Sequence, residues 1–137
     1  MRKLNDIAAD LRAILGGTFR TVRLTAMQTV EQFAQELRAI NPEKLPGVIV
    51  AYDGGTFCGE NTMLESRFTL VVVDRFKADS DDRVLSLFQA AETLLTLFPP
   101  DGLSHQGVFY LPEDCTAATP DRQYACLAIG IVAKQGC

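Results

Sequence analysis

Pro46-Gly47-Val48-Ile49-Val50-Ala51-Tyr52 and Phe68-Thr69-Leu70-Val71-Val72-Val73 decide how this chain folds. Both are short apolar runs dense in β-branched residues and bounded by turn formers, so each reads as a strand. They open the segment Pro46–Ala133, which reads as two strands, one long helix and two further strands. Asp53-Gly54-Gly55 closes the first run, and Gly54–Met63 predicts a mobile hairpin loop longer than a tight turn requires. Within Arg67–Phe76, Phe68, Leu70 and Val72 point one way while Thr69, Val71 and Val73 point the other. Both faces are therefore apolar in the middle.

Downstream, Ser80 and Asp81 are suited to cap a helix whose first turn Asp79, Asp81 and Asp82 complement electrostatically. Val84, Leu87, Phe88, Ala91, Leu94, Leu95 and Phe98 give it an amphipathic pattern that Pro99-Pro100 ends. Gln106–Leu111 and Arg122–Ala133 read as the last strands, joined through Pro112–Cys115 and Thr119-Pro120-Asp121. In the last strand neither face is polar. A sheet of this kind needs cover on both sides, from helices of the same chain or from another subunit.

Upstream, Leu4, Ile7, Ala8, Leu11, Ile14 and Leu15 predict a helix over residues 3–15, stopped by Gly16-Gly17. Thr21–Thr25 alternates as a short edge strand does. Thr29 and Gln32 have capping-box spacing ahead of Val30, Phe33, Ala34, Leu37 and Ile40, which gives a second helix closed before Pro42. The reading is thus one α+β domain over residues 1–137, with a mixed or mostly antiparallel sheet of four to five strands and about three helices.

The 137 residues suit a single core, and 47% apolar with 22% charged residues is the balance of a soluble globular protein. No apolar run is long enough to span a bilayer, and Asp6, Asp10 and Arg12 interrupt what would be the core of a secretory signal. The protein is expected to stay where it is made. Cys58, Cys115, Cys126 and Cys137 show no paired spacing and are read as reduced thiols. With His105 as the single histidine, they are not expected to bind zinc. Residues 1–44 carry 7 basic and 5 acidic side chains and the remainder 6 and 12, so a net +2 faces a net −6. Such asymmetry favours head-to-tail contact between copies and argues against a broad nucleic-acid footprint.

Candidate chemistry is sparse. Gly54-Gly55 lacks the lysine and the helix of a phosphate loop. Asp79, Asp81 and Asp82 match no calcium loop. Asp101, Ser104 and His105 name the members of a hydrolase triad, but neighbours in one loop do not align nucleophile, base and acid. Cys58 sits in the glycine loop with no second histidine to activate it. The repeat of Gly-Gly-Thr-Phe at Gly16–Phe19 and Gly54–Phe57 is a coincidence, since the flanks do not align. Arg20 and Arg23 form no aromatic-interleaved stripe and read as a solvated face.

From Pro46 onward the order of elements resembles the phage tail-terminator proteins, in particular the small tail-assembly proteins of Mu-like phages and prophages. The resemblance rests on Pro46–Gly54, on Phe68–Val73, on the helix that follows and on the final strand through Tyr124 and Ile131. It implies a non-enzymatic virion assembly factor: a homo-oligomeric ring, typically hexameric, that ends the tail tube and offers a surface for head joining. Partners would be the tube and sheath or head-connector proteins, with no cofactor, metal, membrane or specific nucleic-acid binding. The location would be the bacterial host cytoplasm during assembly and then the virion tail. Phe57 and Met63 are expected as loop contacts, and Arg20 and Arg23 as partners for a neighbour's acidic surface. An acidic lumen is expected from the net −6, so that DNA slides without sticking. Two other readings remain, a small-molecule-binding α+β domain and a cysteine-dependent enzyme built on Cys58.

Overall fold

Three helices and six strands follow one another along the chain in the computed structural model, which describes residues 2–26, 29–59, 62–75, 81–121 and 124–136. The order is α1 (Leu4–Gly16), β1 (Val22–Thr25), α2 (Val30–Arg38), a single 3-10 turn (Pro42–Lys44), β2 (Gly47–Phe57), β3 (Met63–Arg75), α3 (Asp81–Leu97), β4 (Leu103–His105), β5 (Val108–Asp121) and β6 (Tyr124–Lys134). The strands form one sheet in the order β1-β2-β3-β6-β5-β4. β1 runs parallel to β2 and every other pair is antiparallel, so the sheet is mixed. Among the described residues no helix is long and apolar enough to cross a membrane.

The α+β reading holds, but the strand count is six rather than four to five. The added strand, β4, folds back on β5 through Gln106 and Gly107, both with left-handed backbone (φ 53° and 79°). Such a tight reversal matches the twist of antiparallel strands. Three stretches expected as turns or loop are wholly or partly strand instead, among them Thr119-Pro120-Asp121, which ends β5. β5 continues through Pro112–Cys115, because proline and acidic residues are tolerated at a bulge on an outer strand. β2 runs on to Phe57, with a register shift between Tyr52 and Gly54, and the long glycine loop shrinks to residues 58–62.

Helix ends follow local chemistry. Thr29 Oγ1 accepts from the Gln32 N–H (3.2 Å), as the spacing predicts. The Lys3 N–H donates to Asp6 Oδ2 (3.0 Å) at the start of α1. Gly17 does not stop α1 by left-handed backbone; its φ is −70°, and the Phe19 N–H donates back to Leu15 O (2.9 Å). The expected cap of α3 from Ser80 and Asp81, and the charge complement from Asp79, Asp81 and Asp82, fall on residues or side chains outside those described.

Register sorts the apolar side chains into two cores. On one face Ile7, Leu11 and Leu15 of α1, Leu87 and Leu94 of α3 and Phe98 just after it pack on Val48, Val50, Leu70, Val72, Ile129 and Ile131. On the other, Phe33, Leu37 and Ile40 cover Ile49, Val71, Val73, Tyr124 and Cys126. Both faces are thus covered by helices of the same chain, which decides the alternative that the two-sided strands left open. Farther along the α2 face, toward the end where β2 finishes, the side chains turn polar: Thr69, Arg67, Glu65 and Asp114.

Candidate functional site

The end of the sheet where β2 finishes carries the most exposed large apolar side chain, Phe57 at 71%, with Leu64 beside it. Met63, expected beside Phe57 as a loop contact, is instead 2% exposed. Its side chain folds over Gly55, where an added Cβ would lie 2.8 Å from Met63 Cε. It is a core residue of the hairpin and is not available to a partner. The Cys58 N–H donates to Thr62 O (2.7 Å) and Lys3 bridges to Thr62, so the described ends of the connection are tied to the body.

Cys58 is disulfide-bonded, to a partner outside the described residues, whereas Cys115 and Cys126 are free. The reading of all four cysteines as reduced thiols is corrected at this position. In this state Cys58 is no thiolate nucleophile, since its sulfur is bonded to a second sulfur and carries no negative charge. Burial pushes the Cys126 thiol up to about 12, which leaves it protonated and inert. Cys115 is exposed, halfway along β5.

Arg20 and Arg23 lie toward the opposite end of the sheet from Phe57, because Arg23 is in β1 and Arg20 just precedes it, alongside the start of the parallel strand β2 that Phe57 ends. Arg23 is already paired within its own chain, its Nε 3.3 Å from Glu36 Oε2 on α2. Arg20 is exposed at the lip of a cleft of ≈ 530 Å³ lined by Thr18, Phe19, Leu45, Pro46, Gln89 and Thr93. The four sequence-expected contacts are therefore scattered: one exposed aromatic, one buried thioether, one paired arginine and one arginine at a cleft.

Sequence reasoning missed a polar cluster under the N-terminal segment. Arg2 clasps Asp10 through two hydrogen bonds (Nε to Oδ2, 3.0 Å; Nη2 to Oδ1, 2.6 Å), which raises the pKa of the guanidinium. Beside them is Tyr110, fully buried with no hydrogen-bond partner for its hydroxyl among the described residues. Burial first, and the Asp10 charge second, push its phenol up to about 12. The i to i+8 spacing of Arg2 and Asp10 crosses the start of a helix, so no linear motif announces it.

Ser104 and His105 are consecutive in β4, so their side chains leave opposite faces of the sheet and do not form a dyad. Among the described residues no group of three or more His, Cys, Asp or Glu is placed to hold a metal ion.

The sheet also has two uncovered edges. β1 reaches only Ala51 of β2, so among the described residues no strand pairs with the outer side of β2 at residues 52–57. β4 covers only Val108–Tyr110, so β5 is likewise unpaired on its outer side beyond Tyr110. Residues 53 and 55–57 on β2 and 113–117 on β5 are exposed. Unpaired strand edges with exposed side chains are templates for another chain. No protein-family model matches this chain, and comparison with curated proteins returns no match.

Proposed function

We propose that the chain is a homo-oligomeric assembly subunit that forms a ring, in the reading favoured here a hexamer, closing the tail tube of a phage or prophage particle. It acts without catalysis, and its ring presents a surface to the tube on one side and to a head connector on the other. The observation that carries this reading is Phe57, 71% exposed at the end of a long strand whose outer edge there pairs with no strand among the described residues. An exposed aromatic beside unpaired backbone is the composition of an interface centre rather than of a solvated tip. The resemblance to tail terminators supplies the biological setting. Its carrying segments, Pro46–Gly54 and Phe68–Val73, pair with each other as β2 and β3.

Light scattering and native mass spectrometry across concentration test it. Closed assemblies of about six copies support the ring. A chain that stays monomeric at millimolar concentration and fails to bind purified tail tubes overturns it.

A second reading, small-molecule binding, is favoured by the cleft beside Arg20. Its ≈ 530 Å³ lies in the size range of ligand sites, with Gln89, Thr18 and Thr93 as polar groups over an apolar floor. A thermal-shift screen with small carboxylates and phosphates separates the two readings, because Arg20→Ala abolishes any shift that arises there.

A further inference from the structure

The two open edges of the sheet are complementary to one another. They lie on opposite sides of the sheet and toward opposite ends of it: among the described residues no strand pairs with the outer side of β2 beyond Ala51, in the direction it runs, or with that of β5 beyond Tyr110, in the direction it runs. β2 is antiparallel to β3, β3 to β6 and β6 to β5, so β2 and β5 run in opposite directions. A second copy in the same orientation, displaced sideways and along the strands, therefore brings the free part of its β2 beside the free part of β5 as an antiparallel pair. The offset also removes collision. The first copy's β4 lies beyond one end of the new pair, and the second copy's β1 lies beyond the other.

We propose that residues 55–57 of β2 in one copy pair with Cys115, Thr116 and Ala117 of β5 in the next, with Phe57 opposite Cys115 and Thr56 opposite Thr116. The proposal rests on the ring reading above and names its repeating contact.

Faces restrict this register to every second residue, and the irregularity between Thr56 and Phe57 skips Leu64 on β3, so the alternation along β2 itself continues. Thr56 lies opposite Glu65, and Glu65 opposite Lys134; Thr116 lies opposite Ala128, an even number of residues from Lys134 on β6. Thr56 and Thr116 therefore share a face, and Phe57 and Cys115 share the other, as cross-strand neighbours must. A shift by one residue would set the exposed ring of Phe57 against the opposite face.

Pro112 and the register shift before Asp114 blunt the first part of the β5 edge, and Glu113 and Asp114 add charge. These are devices that block indiscriminate pairing. They leave Cys115–Ala117, uncharged and regular, as the part of the described edge that accepts a strand. On β2, Gly54 and Gly55 carry no side chain to hinder an approaching backbone. One chain supplies both halves of a matched pair, which is why the occupant is a second copy. A head-to-tail contact of this kind closes into a ring where the rotation from copy to copy divides a full turn, and otherwise extends as a filament.

Disulfide trapping tests the pairing. In Phe57→Cys, a new thiol on β2 faces the native Cys115 across the proposed junction, and directly opposed strand residues bring Cβ atoms to near disulfide range. Mild oxidation is expected to convert the monomer band on non-reducing gels into a ladder of covalent multimers. Peptide mapping should show a 57–115 link, and Cys115→Ser should abolish the ladder. The pair Thr56→Cys with Thr116→Cys, in a Cys115→Ser background, repeats the test without touching the phenylalanine. Circular dichroism confirms that each variant folds.

Multimers by light scattering with neither the 57–115 nor the 56–116 link overturn the edge pairing while leaving the ring reading intact. Links confined to 115–115 overturn it likewise, because they report a symmetric contact. Monomers at every concentration, with no link, overturn both.

Discussion

Arg2 and Gln135 are 133 positions apart in sequence and exchange two hydrogen bonds: the Arg2 N–H donates to Gln135 Oε1 (3.0 Å), and Gln135 Nε2 donates to Arg2 O (2.6 Å). The same amide nitrogen donates to Met63 O (2.7 Å). One primary amide thus ties the chain's beginning to its last strand and to the β2–β3 hairpin that presents Phe57. The carboxamide suits this because it offers an acceptor and two donors from one planar group.

Gln135→Ala removes all three bonds from a site 9% exposed and is expected to cost about 2 kcal/mol. Gln135→Glu should cost more, since a carboxylate cannot donate to the two carbonyls. Urea unfolding reads both as a lower midpoint with unchanged slope. A change in midpoint too small to resolve in either variant counts against the clasp.

Tyr110 buries a hydroxyl with no partner among the described residues, a burden that Tyr110→Phe lifts, so this variant should be as stable as the parent or more stable by about 1 kcal/mol. The pH dependence has a definite sign. The folded phenol's pKa is raised from 10.0 to about 12, so its contribution is intact below pH 10 and is lost as pH climbs toward 12. Denaturation at pH 8 and pH 11 should show the parent losing stability relative to Tyr110→Phe, and parallel curves would refute it.

Two glycines make contrasting predictions. A Cβ on Gly55 would meet the backbone oxygen of Glu65 at 2.2 Å, and backbone cannot step aside. Gly55→Ala should therefore lose several kcal/mol or disorder the hairpin, on the order of an overpacked core. A Cβ on Gly130 would meet Asp114 Oδ1 at 2.3 Å, but this carboxylate is exposed and can rotate away. Gly130→Ala should lose only the hydrogen bond that its N–H gives Asp114, about 1 kcal/mol. Adding Gly130→Ala to Asp114→Ala should then cost nothing further, a non-additivity that a double-mutant cycle reads directly.

The thiols should separate by kinetics. A thiol-specific reagent is expected to label Cys115 at once and Cys126 only on unfolding, with Cys58 protected until reductant is added. Prior reduction should lower the melting temperature, because a cross-link restricts the unfolded chain. Rapid labelling of Cys58 without reductant would overturn its assignment.

Legibility in the sequence followed burial. The apolar alternation of Phe68–Val73 and the face of Leu87, Leu94 and Phe98 announced β3 and α3, because core positions must repeat with the period of their element. Pro112, Glu113 and Asp114 concealed β5, because an outer strand facing solvent carries no such period. Phe57 was legible as an exposed aromatic near a turn. Met63 was misread with it, since only the fold over Gly55 distinguishes the two.

By itself the sequence determined an α+β chain with a strongly apolar sheet, three helices and no concentrated catalytic motif, because local periodicity and turn chemistry act within a few residues. Tertiary structure alone decided that both sheet faces are closed by the chain's own helices, that Arg23 is taken by Glu36, and that Gln135 clasps Arg2. It alone revealed which strand edges are unpaired among the described residues. These are matters of register and of contacts between segments separated by up to 133 positions, and no local pattern encodes where two distant segments meet.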